Sequence, residues 1–253
     1  MQKMSLGFND SDHIDTTSPQ GRELWLRETR QLDISTSAVR ILATKLTQLA
    51  SGDAAKAVAI HNYVKSLPFG CVPDMVGTSA SDVLRLGYGD CHAKGVLFVA
   101  LLRSAGIAAR LHFVTLPTRF LRGLIDTGSQ TMTHAVGEVW LDDGWLQTDT
   151  YVVDTAFGRA ARKLLHGEGA QLGYGVHLQG DDQWGGIDHA HAQCAMLDPE
   201  SLPVVDWGST HDAATFYGNE NHAALRHSFG VRMKWMLGAM VVNKKVAQIR
   251  ASA

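Results

Sequence analysis

Gly87-Tyr88-Gly89-Asp90-Cys91-His92-Ala93-Lys94 runs without a break into Gly95-Val96-Leu97-Phe98-Val99-Ala100-Leu101-Leu102-Arg103-Ser104-Ala105, and this stretch decides the fold. From Cys91 to Ala105 the chain reads as a helix that is apolar nearly all round, the pattern of a helix buried in the middle of a domain. Gly106 is its natural C-terminal stop. Gly87 and Gly89 allow the loop to come close to the helix, and Asp90 is a good N-cap. Cys91 therefore falls in the first turn, where unpaired backbone N–H groups and the positive end of the helix dipole favour thiolate over thiol. The same N–H groups suit an oxyanion formed on an attacked carbonyl. A charged Asp90 beside the sulfur works the other way, so its carboxylate is expected to turn toward the helix backbone. By position alone Cys91 is more readily a packed core thiol, because free cysteine is among the most buried residue types. His92 is expected to point off the opposite side of the helix.

Residues downstream change that balance. Ala109 to Leu116 is compatible with a strand, and His134 to Leu141 alternates as a strand does. A turn at Asp142-Asp143-Gly144 returns the chain through Trp145 to Tyr151. A thiol needs a neighbour to take its proton, and that imidazole needs a third group to fix its tautomer. If Asp142-Asp143 is the tight turn, Leu141 faces Gly144, His134 faces Tyr151, and Asp149 is a diagonal neighbour of His134 on the same face. A turn centred on Asp143-Gly144 breaks the contact, and a bulge at Gly144 makes Asp154 the better partner. Asp149 is the choice here, with Asp154 open. Cys91, His134 and Asp149 are thus the candidate nucleophile, base and orienting acid.

These blocks resemble a known family. Gly87 to Cys91 with Leu97 to Arg110 is similar to the nucleophile block of the bacterial transglutaminase-like superfamily. His134-Ala135 with Glu138-Val139, then Asp143-Gly144-Trp145 and Asp149, are similar to its histidine and aspartate blocks. The resemblance covers roughly residues 55–155. It implies an α+β fold with a papain/transglutaminase-like core, in which N-terminal helices and a buried cysteine-bearing helix pack on an antiparallel sheet. Ala108 and Thr150 stand where the family often has proline, and Thr150 is expected to loosen the local register slightly. The family includes transglutaminases, peptidases, amidases and inactive members, so membership does not name a reaction.

Around this centre, Val39, Leu42, Leu46 and Leu49 give helical spacing from Ser35 to Ala50, with Ser35 or Ser37 as N-cap. Further helices are expected from Asp53 to Ser66, before Pro68, and from about Ser81 to Gly87. Residues 1–20 are polar and expected to be mobile. Residues 21–163 are taken as the catalytic core and 164–253 as a C-terminal extension packed on it. A dimerisation arm is the competing account of the extension, which makes a second copy of the chain a candidate partner. Residues 164–225 carry nine acidic residues and no Lys or Arg, whereas Asn221 to the end carries six basic residues and no acid. Local pairing is the plainer reading, and a charged substrate-facing rim the sharper one. Trp184, Trp207 and Phe216 with His189 and His191 suit a wall beside the cleft. Phe229, Met233, Met236, Leu237 and Met240 form a helical stripe that reads as core.

The 253 residues are 45% hydrophobic and 19% charged with a net charge of −2, which gives no general pull toward nucleic acid or anionic membranes. Three cysteines cannot all pair, and no apolar run suits a signal peptide or a membrane span, so a reduced cytoplasmic protein is expected. Cys71 and Cys194 read as structural thiols. His189-Ala190-His191 before Cys194 could offer metal ligands, but a histidine-rich hydrogen-bonded loop is preferred. No metal and no cofactor are expected. The resulting expectation is a cysteine-dependent acyl-transfer enzyme acting through a thioester on a peptide, protein or small amide, with hydrolysis favoured over transamidation. The contrasting class is a catalytically inactive binding or scaffold protein of the same fold.

Overall fold

The structure, a computed structural model, describes residues 19–126, 128–225 and 229–252. The stretch 1–20 expected to be mobile thus lies outside the described residues except for Pro19 and Gln20, which open α1 (Pro19–Leu24). Helices α2 (Ser37–Thr47), α3 (Gly52–Ser66) and α4 (Ala80–Leu86) lead to α5 (Cys91–Ser104). The N-cap of α2 is Thr36, lying between the two expected serines, and its side chain makes no capping bond. At α4, Ser79 and Asp82 form a capping box and Gly87, at φ 73°, ends the helix in a left-handed conformation.

Strands β1 (Ala109–Pro117), β2 (Thr131–Leu141) and β3 (Gly144–Thr148) follow, then α6 (Thr155–Glu168) and a two-stranded ribbon of β4 (Leu172–Gly173) and β5 (Val176–His177). Strand β6 (Val205–Thr210), α7 (Ala213–Gly218) and α8 (Phe229–Arg250) complete the order. The main sheet is antiparallel in the order β3-β2-β1-β6, so the fold is α+β. Asp142 and Asp143 both have positive φ, 45° and 63°, as a two-residue hairpin turn of type I′ requires. Leu141 accordingly pairs with Gly144, and the β2–β3 ladder runs as far as Gly137 opposite Thr148.

Helix α5 lies on this sheet. Val96, Leu97, Phe98, Leu101 and Leu102 are fully buried with Ala109, Leu111, Phe113, Ala135 and Val139 of the strands. Two glycines permit the close approach. A Cβ added to Gly95 would lie 2.9 Å from Leu111 Cδ2, and one on Gly137 would lie 2.7 Å from Phe98 Cδ1. Gly137 also sits three residues from His134 on the strand facing the cysteine helix. Gly137→Ala is therefore expected to destabilise the protein by about 1–3 kcal/mol through overpacking. Urea denaturation measures it; an unchanged midpoint would mean that the buried Phe98 ring moves freely.

Residues beyond the expected boundary at 163 are woven into the same body. That boundary falls inside α6, and β6 adds a fourth strand against β1 from Leu111↔Thr210 to Thr115↔Val205. The carboxamide of Asn243 on α8 accepts from Cys71 N–H at 2.7 Å and donates to Cys71 O at 3.0 Å, and Trp235 Nε1 donates to Val72 O. The buried face of α8 carries Ala239, Val242, Val246 and Ile249. Met236 and Met240 are exposed, which corrects the core reading of that stripe, while the Phe229, Met233 and Leu237 side chains lie outside the described residues. Trp184 and Phe216 are buried, against His61 and Phe98 and stacked on Phe113 respectively, and Trp207 donates to Thr115 Oγ1. Trp184 and Phe216 are therefore core residues and not a cleft wall. Part of the acidic stretch pairs with residues before 164: Asp182 with Lys65 and Arg162, Glu168 with Arg122, and Glu200 with Arg119, while Asp206 lies 3.0 Å from His112 Nε2.

Candidate active site

Asp90 begins the site as the N-cap of α5. Its Oδ1 accepts from the N–H groups of His92 and Ala93, each at 3.1 Å, and its Oδ2 accepts from Val72 N–H at 3.0 Å. The carboxylate is thus turned to the backbone. Among the described residues the Cys91 N–H makes no hydrogen bond, and it lies in the first turn beside a partly exposed sulfur. That is the arrangement needed to receive both a thiolate and an oxyanion.

His134 is buried on β2, and its Nε2 donates to Asp149 Oδ2 at 2.9 Å. Its Nδ1 has no ordinary hydrogen-bond partner; the ring interacts with the Cys91 sulfur by charge and by a looser side-chain contact. Asp149 arrives just past the end of β3, where the strand ladder has stopped. Its backbone N–H donates to Ala190 O, and its Oδ1 accepts from Ala192 N–H at 2.6 Å. A segment more than forty residues further along the chain therefore holds the acid in place. Thr150, a buried residue, bonds His61 Nε2 at 2.7 Å and Thr148 Oγ1 at 2.9 Å, so it fastens this corner. The buried Lys65 and Lys94 donate to the carbonyls of Thr150, Val152 and Val153 behind it.

The alternative acid is elsewhere. Asp154 caps α6 through Phe157 N–H and receives Phe69 N–H and the Arg250 guanidinium. The two-residue turn without a bulge is what separates the two aspartates. Asn62 Oδ1 lies 3.1 Å from His61 Nδ1.

His92 departs from expectation. Instead of pointing away, its Nδ1 lies 3.3 Å from the Cys91 sulfur and its Nε2 lies 3.1 Å from the Tyr217 hydroxyl of α7. The sequence carried no signal for this, since Tyr217 lies far along the chain in a segment the motif does not reach. Burial opposes charging the Cys91 thiol, but His92 and then His134 outweigh it and hold the thiol well below its usual range. Burial likewise opposes charge on His134, yet the thiolate and the Asp149 bond raise it to about 10. Asp149 resists the effect of its burial through His134 and stays below the ordinary carboxylate range.

The other two thiols are placed oppositely. Burial, reinforced by Asp90, pushes Cys71 far up, and burial with Asp149 pushes Cys194 up to about 12. Brief alkylation followed by peptide mapping is expected to modify Cys91 alone; preferential labelling of Cys71 or Cys194 would defeat the assignment. Asp90, Cys91 and His92 bring three potential ligand atoms within 4.8 Å of one another. Both Asp90 oxygens already accept backbone N–H groups, which leaves a sulfur and one imidazole, a poor donor set for a metal. His189 accepts Gln147 N–H at Nδ1 and stacks on His191 at 6.5 Å. Two surface hollows are lined by Arg119 and Arg122, and neither lining includes Cys91, His134 or Asp149. Among the described residues no helix is long and apolar enough to cross a membrane.

Residues 40–150 match the family model of the transglutaminase-like superfamily. Among solved structures, a candidate cysteine protease from Cytophaga hutchinsonii is 20% identical over 50% of this chain and 40% of its own, with a TM-score of 0.41. A candidate protease from Parabacteroides distasonis is 18% identical over 50% of this chain and 25% of its own, at 0.35. The periplasmic domain of TgpA from Pseudomonas aeruginosa, bound to ethylmercury, is 23% identical over 54% and 50%, at 0.39. This chain therefore spans half or less of each of these structures. No curated protein matches it.

Proposed function

Because its residues 40–150 belong to the transglutaminase-like superfamily, we propose that this chain is a cysteine-dependent acyl-transfer enzyme acting on an amide or peptide-like substrate. The observation that carries the reading is a sulfur in the first turn of α5 coupled to His134, whose far nitrogen is bonded to the buried Asp149 at 2.9 Å. The Cys91 thiolate attacks a carbonyl carbon, and the Cys91 N–H receives the developing oxyanion. His134 gives its proton to the leaving amine, and the C–N bond breaks to leave a thioester. A water or a second amine, deprotonated by His134, attacks the thioester and expels the thiolate. Hydrolysis is favoured, because water is the acceptor unless a site excludes it.

The test is incubation with a small amide or thioester acyl donor, with and without excess primary amine. Amine-independent turnover supports hydrolysis, and amine-dependent product supports transamidation. A Cys91 alkylation rate no faster than that of a free thiol, with no turnover, would instead favour the inactive scaffold. For the active enzyme kcat/KM is expected to rise as the thiol ionises, well below the ordinary cysteine value of about 8.5. It should fall near the His134 value of about 10, where the imidazolium proton is lost. A profile that rises only near the free-thiol value would remove the ion pair from the mechanism.

A further inference from the structure

Successive side chains on a helix are turned by about 100°, so the residue after a nucleophile ordinarily faces away from it. His92 faces Cys91 because it is held from outside its own helix. Its ring is buried between Phe113 of β1 and Tyr217 of α7, with centroids at 5.9 and 5.8 Å. Both nitrogens are engaged, Nε2 with the Tyr217 hydroxyl at 3.1 Å and Nδ1 with the Cys91 sulfur at 3.3 Å. The titratable groups that act on it are Cys91 and Asp90 at the start of α5, His134 on β2, and Tyr217. One sulfur therefore has two imidazoles beside it, supplied by different parts of the fold.

We infer that His92 is a second catalytic imidazole, which donates from Nδ1 to the Cys91 sulfur and shares with His134 the task of keeping the thiol ionised. The inference rests on Cys91 being the nucleophile. The two histidines divide the proton traffic. His134, backed by Asp149, releases its proton to the leaving amine and regains one from the attacking water. His92, closed in by Phe113 and Tyr217, keeps its proton through the cycle. Its N–H stabilises the thiolate before the S–C bond forms and receives it again when the S–C bond of the thioester breaks and the thiolate is expelled. Tyr217 is a positioning residue: its oxygen accepts from Nε2–H and keeps Nδ1 aimed at sulfur. This gives α7, which lies outside residues 40–150, an indirect part in the chemistry through His92.

The experiment is the pH dependence of iodoacetamide alkylation at Cys91 in the full chain, which reads thiol ionisation without turnover. His92→Asn is expected to slow alkylation at about pH 6 roughly tenfold, the effect of losing one adjacent charge. His134→Ala is expected to stay faster than a free thiol at that pH, because His92 remains. The double variant should react as an ordinary thiol, and Tyr217→Phe should shift the acid limb in the same direction as His92→Asn but by less. A folded His92→Asn protein with an unchanged profile overturns the inference. An ordinary-thiol profile from His134→Ala alone does so too. If His92→Asn does not fold, Tyr217→Phe and His134→Ala decide by the same criteria. Slow alkylation in the unmodified protein would instead bring down the proposed function itself.

Discussion

Asp149→Asn is expected to leave the fold intact and to lower turnover about 10³- to 10⁴-fold. The reason lies in what each carboxylate oxygen already does. Oδ1 accepts Ala192 N–H at 2.6 Å, and Oδ2 accepts His134 Nε2–H at 2.9 Å. A carboxamide has one acceptor oxygen and must choose between them. If its oxygen stays with Ala192, its NH₂ faces Nε2, which must then become the acceptor. The ring proton moves to Nδ1, on the side of Cys91, where the imidazole can no longer take a proton from the thiol. If the amide flips, its NH₂ confronts the Ala192 N–H, and a buried donor is left opposed to another donor. Either way the loss of negative charge lowers the stability of the imidazolium. Steady-state kinetics with circular dichroism as the fold control measures the effect, and a turnover within tenfold of the unmodified protein would show that Asp149 does not orient His134.

Asp154→Ala is expected to cost about 3–5 kcal/mol of stability, the range for removing one partner of a buried ion pair. Asp154 caps α6 through Phe157 N–H, accepts Phe69 N–H at 2.8 Å, and meets the Arg250 guanidinium of α8 at 2.7 Å. It also supplies negative charge toward the fully buried Lys94. Its removal uncaps a helix, frees a strand-like segment beside Cys91 and leaves cations without their counter-charge. Burial works against ionising Asp154, but the Arg250 bond outweighs it and the folded-state value lies below the ordinary one. Its contribution is therefore fully present above the usual aspartate range and is lost as pH falls through the depressed folded value. The gap between unmodified and variant denaturation midpoints should narrow in acid. A penalty under about 1 kcal/mol, the magnitude of an exposed pair, would show that the pairing is solvent-screened.

These two aspartates show how far a linear reading carries. The choice between them turned on one local feature, the Asp142-Asp143 turn, because a two-residue hairpin fixes register and side-chain parity together. The pairing of His134 with Asp149 was legible for that reason. The route was less so: the ladder stops at Thr148, and Asp149 is then gripped by Ala190 and Ala192. Helix α6 and strand β6 were not marked out either, since β6 is an edge strand of Val-Asp-Trp-Gly-Ser-Thr whose place is set by β1. The burial of Trp184 and Phe216 was likewise beyond pattern, because an aromatic in an irregular segment has no periodicity to assign it a face.

What the amino-acid order determined by itself is what depends on bonds between near neighbours. It specified the start of α5 at the Asp90 cap, the all-round apolar helix, the hairpin register, and with them the order of Cys91, His134 and Asp149. Tertiary structure decided the contacts that no local bond dictates. It turned the His92 ring toward the sulfur by a hydroxyl 125 residues away, held Asp149 with a distant N–H, and laid α8 against residues 69–72 beside Cys91. A side-chain rotamer or a loop position has several states of similar local energy, and the partner that selects among them exists only once the chain has folded.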